Sequence, residues 1–357
     1  VAAPFKIGGV SVAPGQRVTV DLAVATLMHH QPIAMPVHVM RGARPGPRLF
    51  VSSCLHGDEV NGIEIVRRLM RMAVLQHLRG TLITVPVVNM PAFLNRTRYL
   101  PDRRDLNRLF PGSENGSIGA RIARFFIENI VSGSDAGIDL HTGAVNRPNL
   151  PHLRINPTPD TRRLAAAFAP PAIMEGNAPE GSFRQYSESL GIPTLLYEAG
   201  EAIRLEAQAV RIGLSGIVAT MRELEMLPKK AERGKPTPIT IRSSTWVRAP
   251  IGGILTPLVP LGRAVVAGTR LGLISNPFGR EQIPVPASSD GIVIGRTNLA
   301  MVDEGEALFH IAQSSDPIAA EASIWEQSNW ADEARHEPVS HHQTPPDPDS
   351  PATNDLP

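Results

Sequence analysis

The chain has 357 residues, 42% hydrophobic and 19% charged, enough for a sizeable core and about two domains at ~150 residues each. Lys and Arg number 35 against 34 Asp and Glu, a formal charge of +1 that argues against a general polyanion binder and against nucleic-acid partners. Cys54 is the only cysteine, which excludes an intrachain disulfide framework and a multi-cysteine zinc site, and no run approaches the ~18 apolar residues of a membrane span.

The first residues, VAAPFKIGGV, lack a basic start followed by an apolar block, so no secretory leader is expected there and a cytoplasmic protein is the default. From about Arg17 to Gly200, short apolar strands alternate with amphipathic segments. Arg48 to Cys54 reads as a buried strand. Asp58 to His77 reads as a helix with apolar Ile63, Val66, Met70 and Val74. Thr81 to Val88 is a second strand. Ser117 to Val131 is a helix capped by Ser117, with Ile118, Ile122, Phe125, Phe126 and Ile130 expected to face inward. Ala136 to Leu140 and Thr194 to Tyr197 are further core strands, and Glu201 to Leu227 is a long helix stopped by Pro228. The alternation predicts an α/β domain over 1–227 with a largely parallel sheet flanked by helices.

Residues 228–238 (PKKAERGKPTP) form a charged, proline-flanked linker, and 239–313 change to short β-type runs with glycine turns. Two halves echo one another there. Gly253-Ile254-Leu255 followed by Gly268 matches Gly291-Ile292-Val293 followed by Gly305, with glycine spacings of 15 and 14. A duplicated β unit closing into a small sandwich or barrel is expected. It resembles the barrel-sandwich fold of biotinyl and lipoyl carrier domains, but no lysine follows Lys235, so attachment chemistry is ruled out. Residues 314–357 turn polar, acidic and proline-rich, and are expected to be a disordered tail. Its His336, His341 and His342 read as solvated residues rather than a metal tract.

Four short segments carry chemistry. In Ser52-Ser53-Cys54-Leu55-His56-Gly57-Asp58-Glu59, a buried strand gives way to a helix, and His56 and Glu59 are three apart across a glycine turn. Ile138-Asp139-Leu140-His141-Thr142-Gly143 places another histidine at a strand end. Together they offer His₂Glu, a ligand set of catalytic zinc that leaves a position for water; cobalt or manganese also suits it in vitro. Asp139, two residues before His141, can orient that imidazole. The loop from Thr97 to Gly112 concentrates arginines with Asn107, groups that bind carboxylates. Glu198, directly after Leu195-Leu196-Tyr197, suits a general base, although a glutamate there also fits a helix N-terminus. Cys54 is expected to be a packed core residue rather than a nucleophile.

The order H-G-D-E, D-L-N-R-x-F-P-G, D-L-H-T-G and E-A-G resembles the succinylglutamate desuccinylase/aspartoacylase family, from about Phe50 to Gly200. The resemblance implies a zinc-carboxypeptidase-like mixed sheet flanked by helices, followed by the small β barrel-sandwich-like domain. It implies one Zn²⁺ per chain on His56, Glu59 and His141, with Glu198 as catalytic glutamate. Arg98 matches the arginine that polarises the scissile carbonyl. Asn107 and Arg108 match the pair that holds the substrate carboxylate, and Arg184 a further substrate contact. The segment between Arg98 and Asp105 is about two residues longer than in aspartoacylases, which leaves Arg96, Arg103 and Arg104 as competitors for the Arg98 role.

The function expected is hydrolysis of the amide bond of an N-acyl amino acid, a small-molecule substrate. A zinc carboxypeptidase acting on a peptide or polyglutamate-like chain shares the same chemistry. A non-catalytic metal-binding scaffold would need the ligands but not Glu198. The proline-rich stretch Asn146 to Pro159 is expected to be loops bordering the cleft, and association of copies is left open.

Overall fold

Period-two alternation explains the first part of the fold. In the computed structural model, which describes residues 5–26, 30–230, 237–279 and 281–333, a short hairpin, β1 (Phe5–Ile7) and β2 (Val10–Val12), precedes two ten-residue strands. These are β3 (Arg17–Thr26) and β4 (Pro32–Arg41), an antiparallel pair. Leu22 and Val24 on β3, and Ile33, Met35, Val37 and Val39 on β4, recur at every second position and are buried.

The centre of the sheet follows. β5 (Arg44–Ser53) leads into α1 (Asn61–Leu69), and β6 (Arg79–Val85) into the short α2 (Met90–Leu94). Next come α3 (Ile118–Phe126), β7 (Ala136–Gly143), β8 (Asn149–Ile155), α4 (Pro159–Phe168), β9 (Ala172–Glu175), α5 (Phe183–Ser189), β10 (Thr194–Glu201) and α6 (Ala207–Glu223). Strands β6, β5, β7 and β10 run parallel, β4 and β8 flank them antiparallel, and β9 lies parallel to β8. The sheet is therefore mixed, with a parallel centre buried on both faces.

Side-chain alternation sorts that centre into two cores. Leu49, Val51, Ile138, Leu140, Leu195 and Tyr197 face Ile65 and Leu69 of α1, Leu164 and Phe168 of α4, and Val210 and Ile217 of α6. Phe50, Ile83 and Val85 face Ile122 and Phe126 of α3 and Phe183 of α5. The Phe50 ring lies across Gly137, its register partner on β7, where a Cβ would meet Phe50 Cζ at 1.9 Å. Truncation of such a ring typically costs ~3–5 kcal/mol.

Several elements depart from the sequence pattern. The helix expected from Asp58 to His77 is α1 followed by a separate tight turn over Ala73–His77. The one expected from Glu201 begins only at Ala207, because Glu201 still belongs to β10. Ser117 does cap α3, accepting from the Ala120 amide at 3.4 Å, but Ile118 is 40% exposed rather than inward. Residues 149–155, inside the stretch expected as cleft loops, form β8 at the heart of the sheet.

Beyond residue 237 come β11 (Ile239–Ile241), β12 (Ser244–Arg248), β13 (Gly253–Pro257), β14 (Ala264–Val265), β15 (Arg270–Ser275), β16 (Gln282–Pro286), β17 (Gly291–Arg296), β18 (Met301–Val302) and β19 (Ala307–Gln313). β11 adds in parallel to β9 and so joins the first sheet. The rest forms two layers around Val247, Leu255, Leu271, Ile274, Val293, Leu308 and Phe309. The halves exchange short strands: β14 pairs with β17, and β18 with β13. That reciprocity is the physical content of the repeated glycine motif.

The layer containing β12, β19 and β17 continues into the first sheet, where Gly295 of β17 pairs with Asn149 of β8. Residues 317–333, expected within the disordered tail, form α7 (Pro317–Glu333). Ala320 and Ile324 pack with Leu150, Ile292 and Ile294, and Glu321 meets Arg263 at 2.7 Å. On the same helix, Ser323 Oγ donates to the Thr237 carbonyl at 2.7 Å. Most of the expected linker, and His336, His341 and His342, lie outside the described residues.

Candidate metal centre and active site

His56, His141 and Glu198 lie at the carboxyl ends of β5, β7 and β10, where α/β sheets bind ligands. After β5 the chain turns sharply. Cys54 takes φ +50, and the Glu59 amide donates to the His56 carbonyl at 3.2 Å. Gly57 packs against α2, where a Cβ would lie 2.0 Å from the Ala92 carbonyl carbon, so no side chain fits. Asn89 braces the turn: its Nδ2 donates to the Leu55 carbonyl at 3.1 Å, while its Oδ1 caps α2.

His56, Glu59 and His141 are all buried, and their ligand atoms lie within 4.8 Å of one another. Glu59 stands between the rings, Oε1 2.8 Å from His56 Nδ1 and Oε2 2.7 Å from His141 Nδ1. Each imidazole turns its other nitrogen to an aspartate. His141 Nε2 lies 2.8 Å from Asp139 Oδ2, and His56 Nε2 lies 3.1 Å from Asp105 Oδ1. Ser52 Oγ donates to Asp139 Oδ1 at 2.7 Å. The aspartates hold a proton on each Nε2, and both Nδ1 atoms face Glu59, donating to it while the imidazoles are protonated and offering lone pairs to a metal once those protons leave. Two imidazole nitrogens and a carboxylate, with aspartates behind the imidazoles, suit a divalent metal ion.

The electrostatics follow. Burial works against ionisation of Glu59, but the two histidines outweigh it and hold the carboxyl well below its ordinary value. Burial likewise opposes charge on His141, and Asp139 and Glu59 overcome it, raising the imidazole well above 6.5. Asp105 is held low against its own burial by His56 and Arg98. Cys54 is fully buried and its Sγ donates to the Glu59 carbonyl at 3.1 Å. Burial pushes its thiol up to about 12, which removes it as a nucleophile.

Of the four competing arginines, the structure brings Arg98 to the site. Its guanidinium lies 3.0 Å from Asp105 Oδ2, 3.3 Å from His56 Nδ1 and 3.5 Å from Glu59 Oε1. Arg96, Arg103 and Arg104 are exposed. A turn closed by the Leu100 amide on the Arg104 carbonyl at 3.0 Å carries Arg103 and Arg104 to the surface.

Asn107 is buried, its Oδ1 accepting from the Phe183 amide at 2.8 Å, which ties the arginine loop to α5. Arg108 is exposed beside it, donating to the Asn107 carbonyl at 2.6 Å. Arg184 is buried in the first turn of α5, donating to the Gly176 carbonyl at 3.3 Å.

Glu198 is not at a helix N-terminus. It lies in β10, in register with His141 on β7 and with His152 on β8. Paired residues on adjacent strands share a face, and strands stand ~4.8 Å apart, so the carboxylate rises one strand from a ligand histidine. Asn149 Nδ2 donates to Glu198 Oε2 at 3.0 Å, and Arg154 Nε lies 3.6 Å from Oε1.

Sequence reading passed over Asp105, Asn89, Asn149 and His152. Asp105 opens the D-L-N-R motif and Asn89 precedes a proline in a capping position, signals present but not used. Asn149 and His152 needed the register of β8.

A buried donor set that could hold a metal ion, with a carboxylate one strand away at the strand ends, is an arrangement suited to hydrolytic chemistry. Residues 45–224 match the succinylglutamate desuccinylase/aspartoacylase catalytic domain. The chain belongs to that family. It is 28% identical over 296 residues to N-alpha-acetyl-L-2,4-diaminobutyric acid deacetylase of Halomonas elongata, covering 79% of this chain and 86% of that protein. A crystal structure of a succinylglutamate desuccinylase/aspartoacylase from Rhodobacter sphaeroides superposes with TM-score 0.74 and 25% identity, over 85% of this chain and 96% of that one. The product-bound ectoine utilization protein EutE (DoeB) of Ruegeria pomeroyi shares the fold, with TM-score 0.76 and 21% identity over 85% and 98% of the two chains. Among the described residues, no helix is long and apolar enough to cross a membrane.

Proposed function

We propose that this protein is a zinc-dependent, cytoplasmic deacylase that hydrolyses the amide bond of an N-acyl amino acid. The observation that carries the reading is Glu198 standing in register beside His141, one member of the buried His56–Glu59–His141 set. A donor set alone suits a scaffold; a half-buried carboxylate on the neighbouring strand suits proton transfer at the same point. One Zn²⁺ on His56, Glu59 and His141 would supply a Lewis acid that acidifies water and polarises the amide carbonyl.

The chain's own groups do the rest. Glu198 takes a proton at a carboxylate oxygen from the attacking water and delivers it to the leaving amine. Arg98 stabilises the oxyanion, a task typically worth ~3–4 kcal/mol per good donor. Asn107 and Arg108 hold the substrate carboxylate, and Arg184 adds a further contact. The diaminobutyrate relative makes acetyl the first acyl group to test.

The experiment is metal content together with turnover on a panel of N-acyl amino acids, before and after chelation. One zinc per chain with chelator-sensitive release of the free amino acid supports the reading. Glu198→Gln should retain zinc and lose most turnover; a fully active variant removes Glu198 from the mechanism. Zinc without turnover on any panel member would favour a peptidase, and no zinc would overturn the ligand assignment.

A further inference from the structure

The C-terminal β unit touches the catalytic sheet at one point of chemical consequence. Asn149, at the start of β8, pairs with Gly200 of β10 on one side and with Gly295 of β17 on the other. Its amide is used in two directions. Nδ2 donates to Glu198 Oε2 at 3.0 Å. Oδ1 faces Gly295, lying 3.2 Å from where a Cβ would stand, a position that is also 3.3 Å from His310 Cβ and 3.7 Å from Trp246 Cη2.

The surface behind that contact is stiff. The Trp246 and His310 rings stack with centroids 4.5 Å apart and planes 8° apart, and His310 Nε2 lies 2.8 Å from Ser244 Oγ. A second anchor grips the same strand end. Asn298 Nδ2 donates to Glu201 Oε2 at 2.9 Å, its amide donates to the Asn146 carbonyl at 2.7 Å, and the Asn146 amide donates to Glu201 Oε1 at 2.9 Å.

We infer that Asn149 is a positioning residue through which the C-terminal β unit fixes the Glu198 carboxylate, a reading that rests on Glu198 being the proton carrier proposed above. A carboxylate hydrogen-bonded at one oxygen has lost its free rotation. Asn149 holds Oε2 by a hydrogen bond while Oε1 has only the longer ion pair with Arg154 Nε at 3.6 Å, so Oε1 is the oxygen presented for proton transfer. The absent side chain of Gly295 lets β17 approach closely enough to back the amide, so the β unit supports the Glu198 carboxylate through Asn149.

The test uses the full-length zinc-loaded protein and Nα-acetyl-L-2,4-diaminobutyrate. Asn149→Ala and the similarly sized Asn149→Leu should each lower kcat about 10- to 100-fold, with KM within about twofold and zinc content unchanged. Gly295→Ala, which presses on the amide from the β unit, should lower kcat several-fold in the same sense. In a Glu198→Ala background, Asn149→Ala should cost less than about twofold more, because its partner is gone.

The parent protein, Asn149→Ala, Glu198→Ala and the double variant, without substrate, read the contact through thermal unfolding, where the Asn149 and Glu198 shifts should not add. Retained kcat in Asn149→Leu, an additive cycle in both measurements, or a rise in KM alone would overturn the proposal. Full activity in Glu198→Ala would instead refute the proton-carrier reading, leaving the unfolding cycle to decide the contact.

Discussion

Replacing Asp139 by asparagine isolates the support behind His141, a proposed metal ligand. The Asp139 carboxylate is 1% exposed and fully used, Oδ1 accepting from Ser52 at 2.7 Å and Oδ2 from His141 Nε2 at 2.8 Å. Asparagine keeps the shape. Its carbonyl oxygen can face His141 while its amide donates to Ser52 Oγ, reversing that hydrogen bond, so the ring stays in place while the charge behind it is lost. A hydrogen bond to a charged partner contributes ~1.5–3 kcal/mol and a neutral one ~0.5–1.5, a difference of ~1–1.5 kcal/mol. At ~1.4 kcal/mol per decade, the zinc Kd should rise about tenfold. Asp139→Ala, which strands the Nε2 proton in a buried site, should approach a hundredfold loss. The assay is competition for zinc against a chromophoric chelator, with circular dichroism to confirm folding. An Asp139→Asn Kd within twofold of the parent protein, in a preparation where His141→Ala abolishes binding, would refute the reasoning.

Two further outcomes follow from the geometry. Arg108 is exposed at the end of the arginine loop, so Arg108→Ala should raise KM about 10- to 100-fold with kcat within threefold, read from steady-state kinetics; an unchanged KM would remove it from substrate anchoring. His152 is fully buried, and burial and Arg154 push its imidazole down to about 3 from 6.5, so the unfolded chain protonates first and stability falls as pH drops through that window. Between pH 7 and 5 this one group should cost about 2 kcal/mol, and His152→Gln should flatten the acid limb of urea unfolding by that amount; an identical pH dependence in the variant would contradict it.

The parts legible in sequence were those whose signal is local. The runs Leu49-Phe50-Val51 and Ile138-Asp139-Leu140 read as buried strands because both faces of a parallel centre are covered, and their ends located His56 and His141. The glycine echo from Gly253 and Gly291 revealed the duplicated β unit before any pairing was visible. What stayed hidden depended on register and on distant partners. Asn149 carries no local mark; it matters because β8 places it between Glu198 and Gly295. Residues 146–159 read as loops because Pro148, Pro151 and Pro157 punctuate them, yet Leu150, Leu153 and Ile155 are buried. The helix over 317–333 was lost in a polar, acidic composition that buried Ala320 and Ile324 barely alter.

Charge balance makes the donor set more specific than its distances alone. Glu59, Asp105 and Asp139 surround the two imidazoles with carboxylates, Asp58 lies beside Glu59, and Arg98 offsets only part of that negative charge. The cluster is left short of positive charge. A divalent cation supplies it, and so do two imidazolium protons. Burial opposes those protons on His56 and His141, but Glu59, Asp105 and Asp139 outweigh it and raise both histidines above 6.5. Protons and metal therefore compete for one charge deficit. Zinc binding should release protons, and affinity should fall as pH drops, by as much as a hundredfold per unit where both histidines are protonated. Competition titrations at pH 8 and pH 6, repeated in buffers of different ionisation enthalpy, measure the fall and the proton count independently. An affinity that does not change over that range, with no proton release, would mean that the metal is held elsewhere than on His56 and His141.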